Sequence, residues 1–158
     1  MKAIAVLLVA ALILFAETTR FTDSAAAITV PGTSSGADAI AITPNDLKPA
    51  ICSGITLTAV SSSSGVINGT AVNELIVGSA LVDTIEDMGS DDCIISGDGD
   101  DLIDGGDGAD VLSGGAGDDT VSGGTEVDTL YGSGDTDVCT GGGDGDAFPA
   151  GDCETQNP

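Results

Sequence analysis

Apolar residues recur every nine positions along the second half of the chain. Written in nines from Asp87 to Pro149, the sequence reads DMGSDDCII, SGDGDDLID, GGDGADVLS, GGAGDDTVS, GGTEVDTLY, GSGDTDVCT and GGGDGDAFP. The eighth position of each nonad is apolar throughout: Ile94, Ile103, Leu112, Val121, Leu130, Cys139 and Phe148. A period this long belongs to neither a helix nor a strand alone, and it indicates structural units that stack on one another.

The polar positions of the nonads are equally regular. Position six is always aspartate: Asp92, Asp101, Asp110, Asp119, Asp128, Asp137 and Asp146. The glycine-rich half of each nonad can adopt left-handed backbone angles and so turn tightly. The second half is a short extended stretch whose side chains alternate between two faces. We therefore predict two strands per coil and two parallel sheets, with Leu112, Val121 and Leu130 in a thin core between them.

Stacking of the coils brings together aspartates that are two nonads apart. The predicted pairs are Asp92 with Asp110, Asp101 with Asp119, Asp110 with Asp128, Asp119 with Asp137, and Asp128 with Asp146. Two carboxylates and several backbone carbonyls make the shell of six to eight oxygens that Ca²⁺ prefers, whereas Mg²⁺ requires a tighter octahedron. The pattern predicts up to about five calcium ions. It also predicts that folding and binding form one equilibrium.

The charge distribution points to the same class of partner. The chain carries a net charge of −23, and residues 87–158 contain 19 Asp or Glu and no Lys or Arg. Carboxylates about 4 Å apart repel one another by roughly 1 kcal/mol even in water. Nucleic acid is excluded as a partner because phosphate binding depends on Lys and Arg. Divalent cations have the required sign.

The repeat continues upstream in a weaker form. Read from Asn68 to Ile76, the sequence places Asn73 in the acid position and Leu75 in the apolar position. Residues 77–86 then fit only with one insertion, which puts Asp83 and Ile85 in the two positions. We expect degenerate first turns with weak or absent metal sites. The repeat domain is accordingly predicted to span residues 68–149, with regular nonads over 87–149.

The N-terminal segment has the pattern of an export signal. Lys2 precedes fourteen apolar residues from Ala3 to Ala16, which is short for a membrane span of about 18 to 20 residues. We predict a signal peptide or uncleaved anchor over residues 1–27, and contact with a membrane only if the segment is not removed. A linker and capping segment (28–67) would follow, and a C-terminal tail (150–158) would end the chain.

Four cysteines form an even set in a chain predicted to be exported, which favours disulfides. Three pairings are possible. We favour Cys52–Cys93 and Cys139–Cys153, because these would clamp the two ends of the repeat block. A zinc site made by all four thiolates is the alternative, but the chain has no C-x-x-C pair to support it.

The nonads resemble the RTX, or hemolysin-type, calcium-binding repeat G-G-x-G-x-D-x-apolar-x. Residues Gly105–Ser113 and Gly114–Ser122 match it at every defined position. The resemblance implies an all-β fold, a right-handed parallel β-roll (β-solenoid), here with a small N-terminal cap and a disulfide-clamped C-terminal end. It implies calcium held by the position-six aspartates and by backbone carbonyls of the glycine-rich half. Those carbonyls would come from segments that include Gly97, Gly99, Gly106, Gly108, Gly115 and Gly117.

Departures from the family pattern predict weaker outer sites. Position four is Ser90, Glu126, Asp135 or Asp144 in four nonads, and Met88 and Ser133 replace the second glycine. A Cβ atom strains a left-handed turn, so the sites around Asp101, Asp110 and Asp119 should be the strongest. RTX proteins that use one-step transporters usually lack an N-terminal signal. The signal in this chain favours the general secretory pathway instead.

Other interpretations fit the residues less well. An EF-hand loop that started at Asp100 would place Leu102 and Val111 where acidic ligands belong. A phosphate loop would require a Lys and a strand-turn-helix context. The chain has no His, and its regularly spaced acids are assigned to metal, so we predict that it is not an enzyme. The predicted function is an exported calcium-binding structural or surface module. Alternatives are an adhesin-like or self-assembling matrix element, and an ice- or polysaccharide-binding face.

Overall fold

The computed structural model describes residues 43–143, 145–149 and 153–157, together with the backbone of three short strands before them. A short helix, α1 (Pro44–Leu47), and a 3-10 turn (Ala50–Cys52) precede the roll. The strands are β1 (Phe21–Thr22), β2 (Ala27–Ile28), β3 (Ile40–Ala41), β4 (Ala59–Ser62), β5 (Val66–Asn68), β6 (Glu74–Val77), β7 (Thr84–Glu86), β8 (Cys93–Asp98), β9 (Leu102–Asp107), β10 (Val111–Ala116), β11 (Thr120–Thr125), β12 (Thr129–Gly134), β13 (Val138–Thr140) and β14 (Thr155–Asn157).

Strands β4 to β13 alternate between two sheets, so each pair of successive strands completes one coil. The first sheet has the order β1-β4-β6-β8-β10-β12, and the second has the order β14-β13-β11-β9-β7-β5. Neighbouring strands from β4 onward are parallel, whereas β1 pairs antiparallel with β4, and β2 with β3. The chain is therefore all-β and folds as a parallel β-roll of about five turns, as the sequence predicted.

The apolar column forms the core between the two sheets. Leu112 pairs with Ile94 on one side and with Leu130 on the other, so equivalent residues of successive coils lie directly above one another. Their side chains are fully buried and stack along the roll axis. The core consists of Ile67, Ile76, Ile85, Ile94, Ile103, Leu112, Val121, Leu130, Cys139 and Cys153, with Phe148 packed against it. Each nonad thus contributes one buried apolar side chain to the core between the sheets.

The register predicted for the upstream repeats was wrong by one residue. Ile76, not Leu75, pairs with Ile94 and belongs to the core column. Glu74, not Asn73, therefore occupies the acid position, and residues 77–86 need no insertion because Ile85 pairs directly with Ile103. The error arose because Leu75 and Ile76 are both apolar. Leu75 points to the outer face of the first sheet, where a second apolar cluster buries it.

The segment before β4 covers that outer face. The second cluster contains Cys52, Ile55, Leu57, Val60, Leu75 and Cys93. The side chain of Asn45 fixes this segment, since its Nδ2 donates to the Leu57 carbonyl at 2.7 Å and its Oδ1 accepts from the Leu57 N–H at 2.9 Å. A disulfide joins Cys52 to Cys93, with their Cα atoms 5.9 Å apart. The cap is thereby tied covalently to the first residue of β8.

A second disulfide closes the C-terminal end of the roll. Cys139 in β13 is bonded to Cys153, with a Cα–Cα distance of 5.9 Å, and both side chains are buried. β14 follows Cys153 directly and adds one more parallel strand to the second sheet. Both disulfide pairings in the structure are those favoured from the sequence.

The predicted signal peptide or anchor, residues 1–27, lies outside the described residues except for the backbone of Phe21–Thr22 and Ala27. Within the part of the chain that the structure describes, no helix is long and apolar enough to cross a membrane.

Candidate metal centre

The acid column runs along the inside of the turns and is buried. Six of the seven predicted aspartates are at most 3% exposed, namely Asp92, Asp101, Asp110, Asp119, Asp128 and Asp137. Asp146, in the last nonad, is half-buried. The column extends upstream to Asp83 (0% exposed) and Glu74 (3% exposed). Glu74 was missed from the sequence, although counting back from Asp92 in steps of nine would have found it.

Each carboxylate is fixed by the coil below it. The N–H of Asp92 donates to Oδ1 of Asp110 at 2.8 Å, and that of Asp101 donates to Oδ1 of Asp119 at 2.8 Å. The same bond recurs from Asp110 to Asp128, from Asp119 to Asp137 and from Asp128 to Asp146, at 2.9, 2.9 and 3.0 Å. All five predicted pairs are therefore brought together, and each pair is 18 residues apart.

The second oxygen of four of these carboxylates lacks a donor. Oδ2 of Asp92, Asp101, Asp110 and Asp119 is buried and has no hydrogen-bond partner. A buried polar atom without a partner costs about 1 to 3 kcal/mol, and more when it carries charge. The described part of the chain contains one cationic side chain, Lys48, and its Nζ donates to the Ile55 carbonyl at 2.5 Å in the cap. The buried oxygens need a counter-charge that this part of the protein does not supply.

Burial shifts the protonation of these groups strongly. Burial, followed by the neighbouring carboxylate of Asp87, raises the pKa of Asp92 from 3.8 to about 10. Burial likewise raises the pKa of Asp110 to about 8 and that of Asp119 to about 6, although a backbone N–H donor opposes the shift in each case. The pKa values of Asp101 and Asp137 are raised for the same main reason. Without a cation, protons must compensate part of the buried charge.

The glycine-rich turns stack in two rows, one at each edge of the roll. Gly97, Gly106 and Gly115 have φ values of 117°, 91° and 111°, which residues with a Cβ rarely adopt. The turns also stack closely, because a Cβ built on Gly115 would overlap the carbonyl oxygen of Gly97. Gly99, Gly108 and Gly117 have positive φ as well, at 120°, 139° and 124°. The carbonyls that the resemblance named as ligands therefore lie in stacked left-handed turns.

Non-glycine residues at turn positions adopt the same backbone. Ser90, Glu126, Ser133 and Asp135 have φ values of 88°, 74°, 90° and 69°. Each left-handed residue with a Cβ costs roughly 1 to 2 kcal/mol, so these turns are strained as expected. Met88 does not have positive φ, whereas the next residue, Gly89, has a φ of 146°. Asp144 lies outside the described residues.

The residues present fit a hard, oxygen-binding cation. Among the described residues, no group of three or more His, Cys, Asp or Glu side chains converges on one point. An ion at this edge must therefore combine few carboxylates with backbone carbonyls, which is how Ca²⁺ is commonly held. All four cysteines are in disulfides, so the thiolate zinc alternative does not fit.

Comparison with known protein families agrees with this geometry. The model of the RTX calcium-binding nonapeptide repeat matches four times, at residues 68–103, 77–112, 95–130 and 113–147. The chain belongs to the RTX calcium-binding repeat family. Searches of curated proteins and of solved structures give no match to the chain. The roll is accordingly a calcium-binding structural module.

The first RTX turns complete their carboxylates in another way. Oδ2 of Asp83 accepts hydrogen bonds from the backbone N–H and the hydroxyl of Ser79, at 2.7 and 2.9 Å. Oε2 of Glu74 accepts from the N–H and hydroxyl of Thr70, at 2.6 and 2.8 Å. Ser79 and Thr70 occupy position two, where the family pattern has its second glycine. These two carboxylates are therefore satisfied by protein donors rather than left open for a cation.

Proposed function

We propose that this chain is an exported structural module whose regular nonads fold around calcium. The observation that carries the proposal is the row of buried Oδ2 atoms on Asp92, Asp101, Asp110 and Asp119, which have no donor. A cation is the group that stabilises such atoms best, because it neutralises both carboxylates of a stacked pair at once. The turn carbonyls supply the remaining oxygens.

The proposed ligands are those predicted from the repeat. Each ion lies between two stacked turns and takes carboxylate oxygens from position six, together with carbonyl oxygens from the glycine-rich halves of the turns. The proposed carboxylate ligands are Asp92, Asp101, Asp110, Asp119, Asp128, Asp137 and Asp146. The proposed carbonyl ligands include Gly97, Gly99, Gly106, Gly108, Gly115 and Gly117. Up to about five ions fit this arrangement.

Export is supported by two features of the chain. The N-terminal apolar run has the length of a signal peptide rather than of a membrane span. Both disulfides also require an oxidising compartment, and cytosolic proteins rarely keep such bonds. We propose a secreted or cell-surface location. Mass spectrometry of the protein recovered outside the cell tests this, because a mature N-terminus near residue 28 is expected.

Circular dichroism of the exported chain tests calcium-dependent folding. Adding calcium should increase the strand signal strongly, EGTA should remove this increase, and magnesium at the same concentration should not restore it. The metal must be removed under oxidising conditions, so that the disulfides remain intact in every sample. A spectrum that ignores both calcium and EGTA would contradict the proposal.

One feature favours self-assembly as a second function. β14 is the edge strand of the second sheet, and Thr155, Gln156 and Asn157 are all exposed. An exposed edge strand offers unpaired backbone groups to another chain. Light scattering against calcium concentration separates the two cases, because an assembling roll grows with calcium whereas a structural monomer only folds.

The described strands do not favour the ice- or polysaccharide-binding alternative. Such a face would be supported by a continuous ladder of threonine. The outward ladder of the second sheet instead alternates aliphatic residues with threonine, in the order Val66, Thr84, Leu102, Thr120, Val138, Thr155.

A further inference from the structure

Asp87 is an acid at a position where the family has glycine. It is the first residue of its nonad, and the equivalent positions on the same edge of the roll are Gly69, Gly105, Gly123 and Gly141. Unlike the many acids on the outer surface, its side chain is only 9% exposed. The chain therefore buries a carboxylate that the repeat pattern does not require.

The carboxylate of Asp87 points into the roll, toward the coil below. A Cβ built on Gly69 would overlap its Oδ1 atom, so the carboxylate fills the space that Gly69 leaves open. Its Oδ2 accepts a long hydrogen bond of 3.3 Å from the Gly89 N–H. Its Oδ1 is buried and has no hydrogen-bond partner.

The nearest acid of the column is Asp92, in the same nonad. Its Oδ1 accepts the Glu74 N–H at 2.5 Å, and its Oδ2 is buried without a donor. The Asp87 side chain lies within hydrogen-bonding range of Asp92, and its charge also acts on Asp110. Two carboxylates with open oxygens thus lie side by side inside the protein, and the sequence contains no Lys or Arg after Lys48.

We propose that Asp87 is an additional calcium ligand beside Asp92, which makes the first regular turn the tightest site of the roll, in place of the central sites that the glycine pattern alone favours. This inference rests on the proposed function, because it assumes that the acid column binds calcium. A second carboxylate from the same coil adds one negative ligand to a shell otherwise built from one carboxylate per turn and from carbonyls. The number of negatively charged ligands is one of the features that determine calcium affinity, which varies over several orders of magnitude among protein sites.

The position of this site gives it a role in folding. It lies at the boundary between two kinds of turn. The turns before it complete Glu74 and Asp83 with protein donors, and those after it contain buried carboxylate oxygens without a donor. Cys93, the next residue after Asp92, is also tied to the cap by the disulfide with Cys52. An ion bound beside Asp87 therefore sits on the part of the roll that is already held in place. We expect it to bind first and to be released last.

The test compares two variants that lose the same charge. Asp87→Asn removes the extra carboxylate, whereas Asp104→Asn removes an exposed acid from the outer face of the second sheet. The full chain is loaded with calcium and mixed rapidly with a fluorescent chelator. We expect wild type and Asp104→Asn to release one ion about tenfold more slowly than the rest, and Asp87→Asn to lack this slow component.

Stability without calcium separates ligation from ordinary packing. If Asp87 binds the ion, Asp87→Asn lowers calcium affinity but leaves the EGTA-treated protein as stable as wild type or more so, since it removes repulsion with Asp92. Asp87→Gly, which restores the family residue, should give the same loss. If Asp87 instead only shares a proton with Asp92, the variants release calcium like wild type, and the inference is overturned. Failure of wild type itself to bind calcium would overturn the proposed function instead.

Discussion

Two regions of the same roll solve one electrostatic problem in different ways. The early turns, residues 69–86, bury Glu74 and Asp83 and complete them with hydroxyl and backbone donors from Thr70 and Ser79. The regular turns of residues 96–122 bury Asp101, Asp110 and Asp119, and the Oδ2 atom of each has no hydrogen-bond donor. The spacing and the core column are the same in both regions. The difference at the carboxylates is the residue at position two, which is Thr70 or Ser79 in the early turns and glycine in the regular ones.

This difference shows that the backbone stack does not itself require metal. A glycine at position two gives a tight, left-handed turn but offers no side-chain donor, so the carboxylate must find its partner elsewhere. A serine or threonine supplies that donor and makes the turn self-sufficient. We therefore expect the first turns, supported by the cap, to fold without metal, and the turns that follow to depend on calcium.

Removing calcium should have the largest effect and should divide the two regions. We expect EGTA to abolish amide protection in β9 to β13 and to leave partial protection in β4 to β7, because only the latter have their acids satisfied by protein donors. Hydrogen exchange followed by mass spectrometry, with and without calcium, measures this directly. Uniform loss of amide protection from Ala59 to Thr140 would mean that the two regions fold as one unit. The donors from Thr70 and Ser79 would then not make the early turns stable without calcium.

Replacing one acid in each region should give a loss of stability that depends on calcium in the regular turns and does not depend on it in the early turns. Asp110→Asn should lower the stability of the calcium-bound protein by about 3 kcal/mol, because it removes one charge from a buried site. In EGTA it should cost little, since the amide oxygen can still accept the Asp92 N–H.

Asp83→Asn is the matched comparison. The amide has only one acceptor atom, so it cannot accept from Ser79 on one side and from the Gly65 N–H on the other. We therefore expect a loss of about 1 to 3 kcal/mol whether or not calcium is present. Urea unfolding with and without calcium reports both values. Equal calcium dependence of the two variants would show that Asp83 also binds metal.

Acid should partly replace calcium in the regular turns. Without metal, burial raises the pKa of Asp110 to about 8 and that of Asp119 to about 6, well above the ordinary value for an aspartate. The folded state then binds more protons than the unfolded state, so stability is present at low pH and is lost as pH rises through these values. Calcium needs the deprotonated form, so its affinity must fall in the same range as pH decreases.

The measurement is a pair of titrations at pH 5 and pH 8. In EGTA, circular dichroism should show more strand at pH 5 than at pH 8. Calorimetry in buffers of different ionisation enthalpy should show proton release on calcium binding near neutral pH. More strand at pH 8 than at pH 5 in EGTA would contradict the shifts derived from burial.

Much of the fold could be predicted because one residue type marks each role. Asp at position six and an apolar residue at position eight fix the register from Asp92 onward, and the pairing of Asp101 with Asp119 follows from that register alone. The register failed upstream, where Leu75 and Ile76 are adjacent and both apolar. Choosing between them requires knowing that the cap buries Leu75 from outside, and this is a tertiary contact.

The chemistry within the acid column was less accessible from the sequence. Burial of Asp110 could be inferred from the predicted stacking of the coils. Whether its Oδ2 atom has a hydrogen-bond donor depends on the surrounding residues, which the sequence does not show. Thr70 and Ser79 supply the donors that complete Glu74 and Asp83, and nothing in the repeat pattern identifies them as donors. Asp87 is one of 19 acids in residues 87–158, and only the position of its carboxylate against Gly69 reveals that it is buried.

The smallest expected effect comes from removing the hydroxyl of Ser79, a side-chain donor that the early turns have and the regular turns lack. Ser79→Ala removes one donor from Asp83 and keeps the backbone N–H bond, so we expect a loss of about 0.5 to 1.5 kcal/mol. Ser79→Thr, which keeps a hydroxyl, is the control and should stay near wild type. Because Asp83 then has a less satisfied Oδ2, Ser79→Ala should also gain a calcium-dependent component of stability that wild type lacks in this turn. Urea unfolding of both variants at several calcium concentrations measures this component. If Ser79→Ala loses the same free energy of unfolding at every calcium concentration, the hydroxyl does not decide whether this turn needs metal.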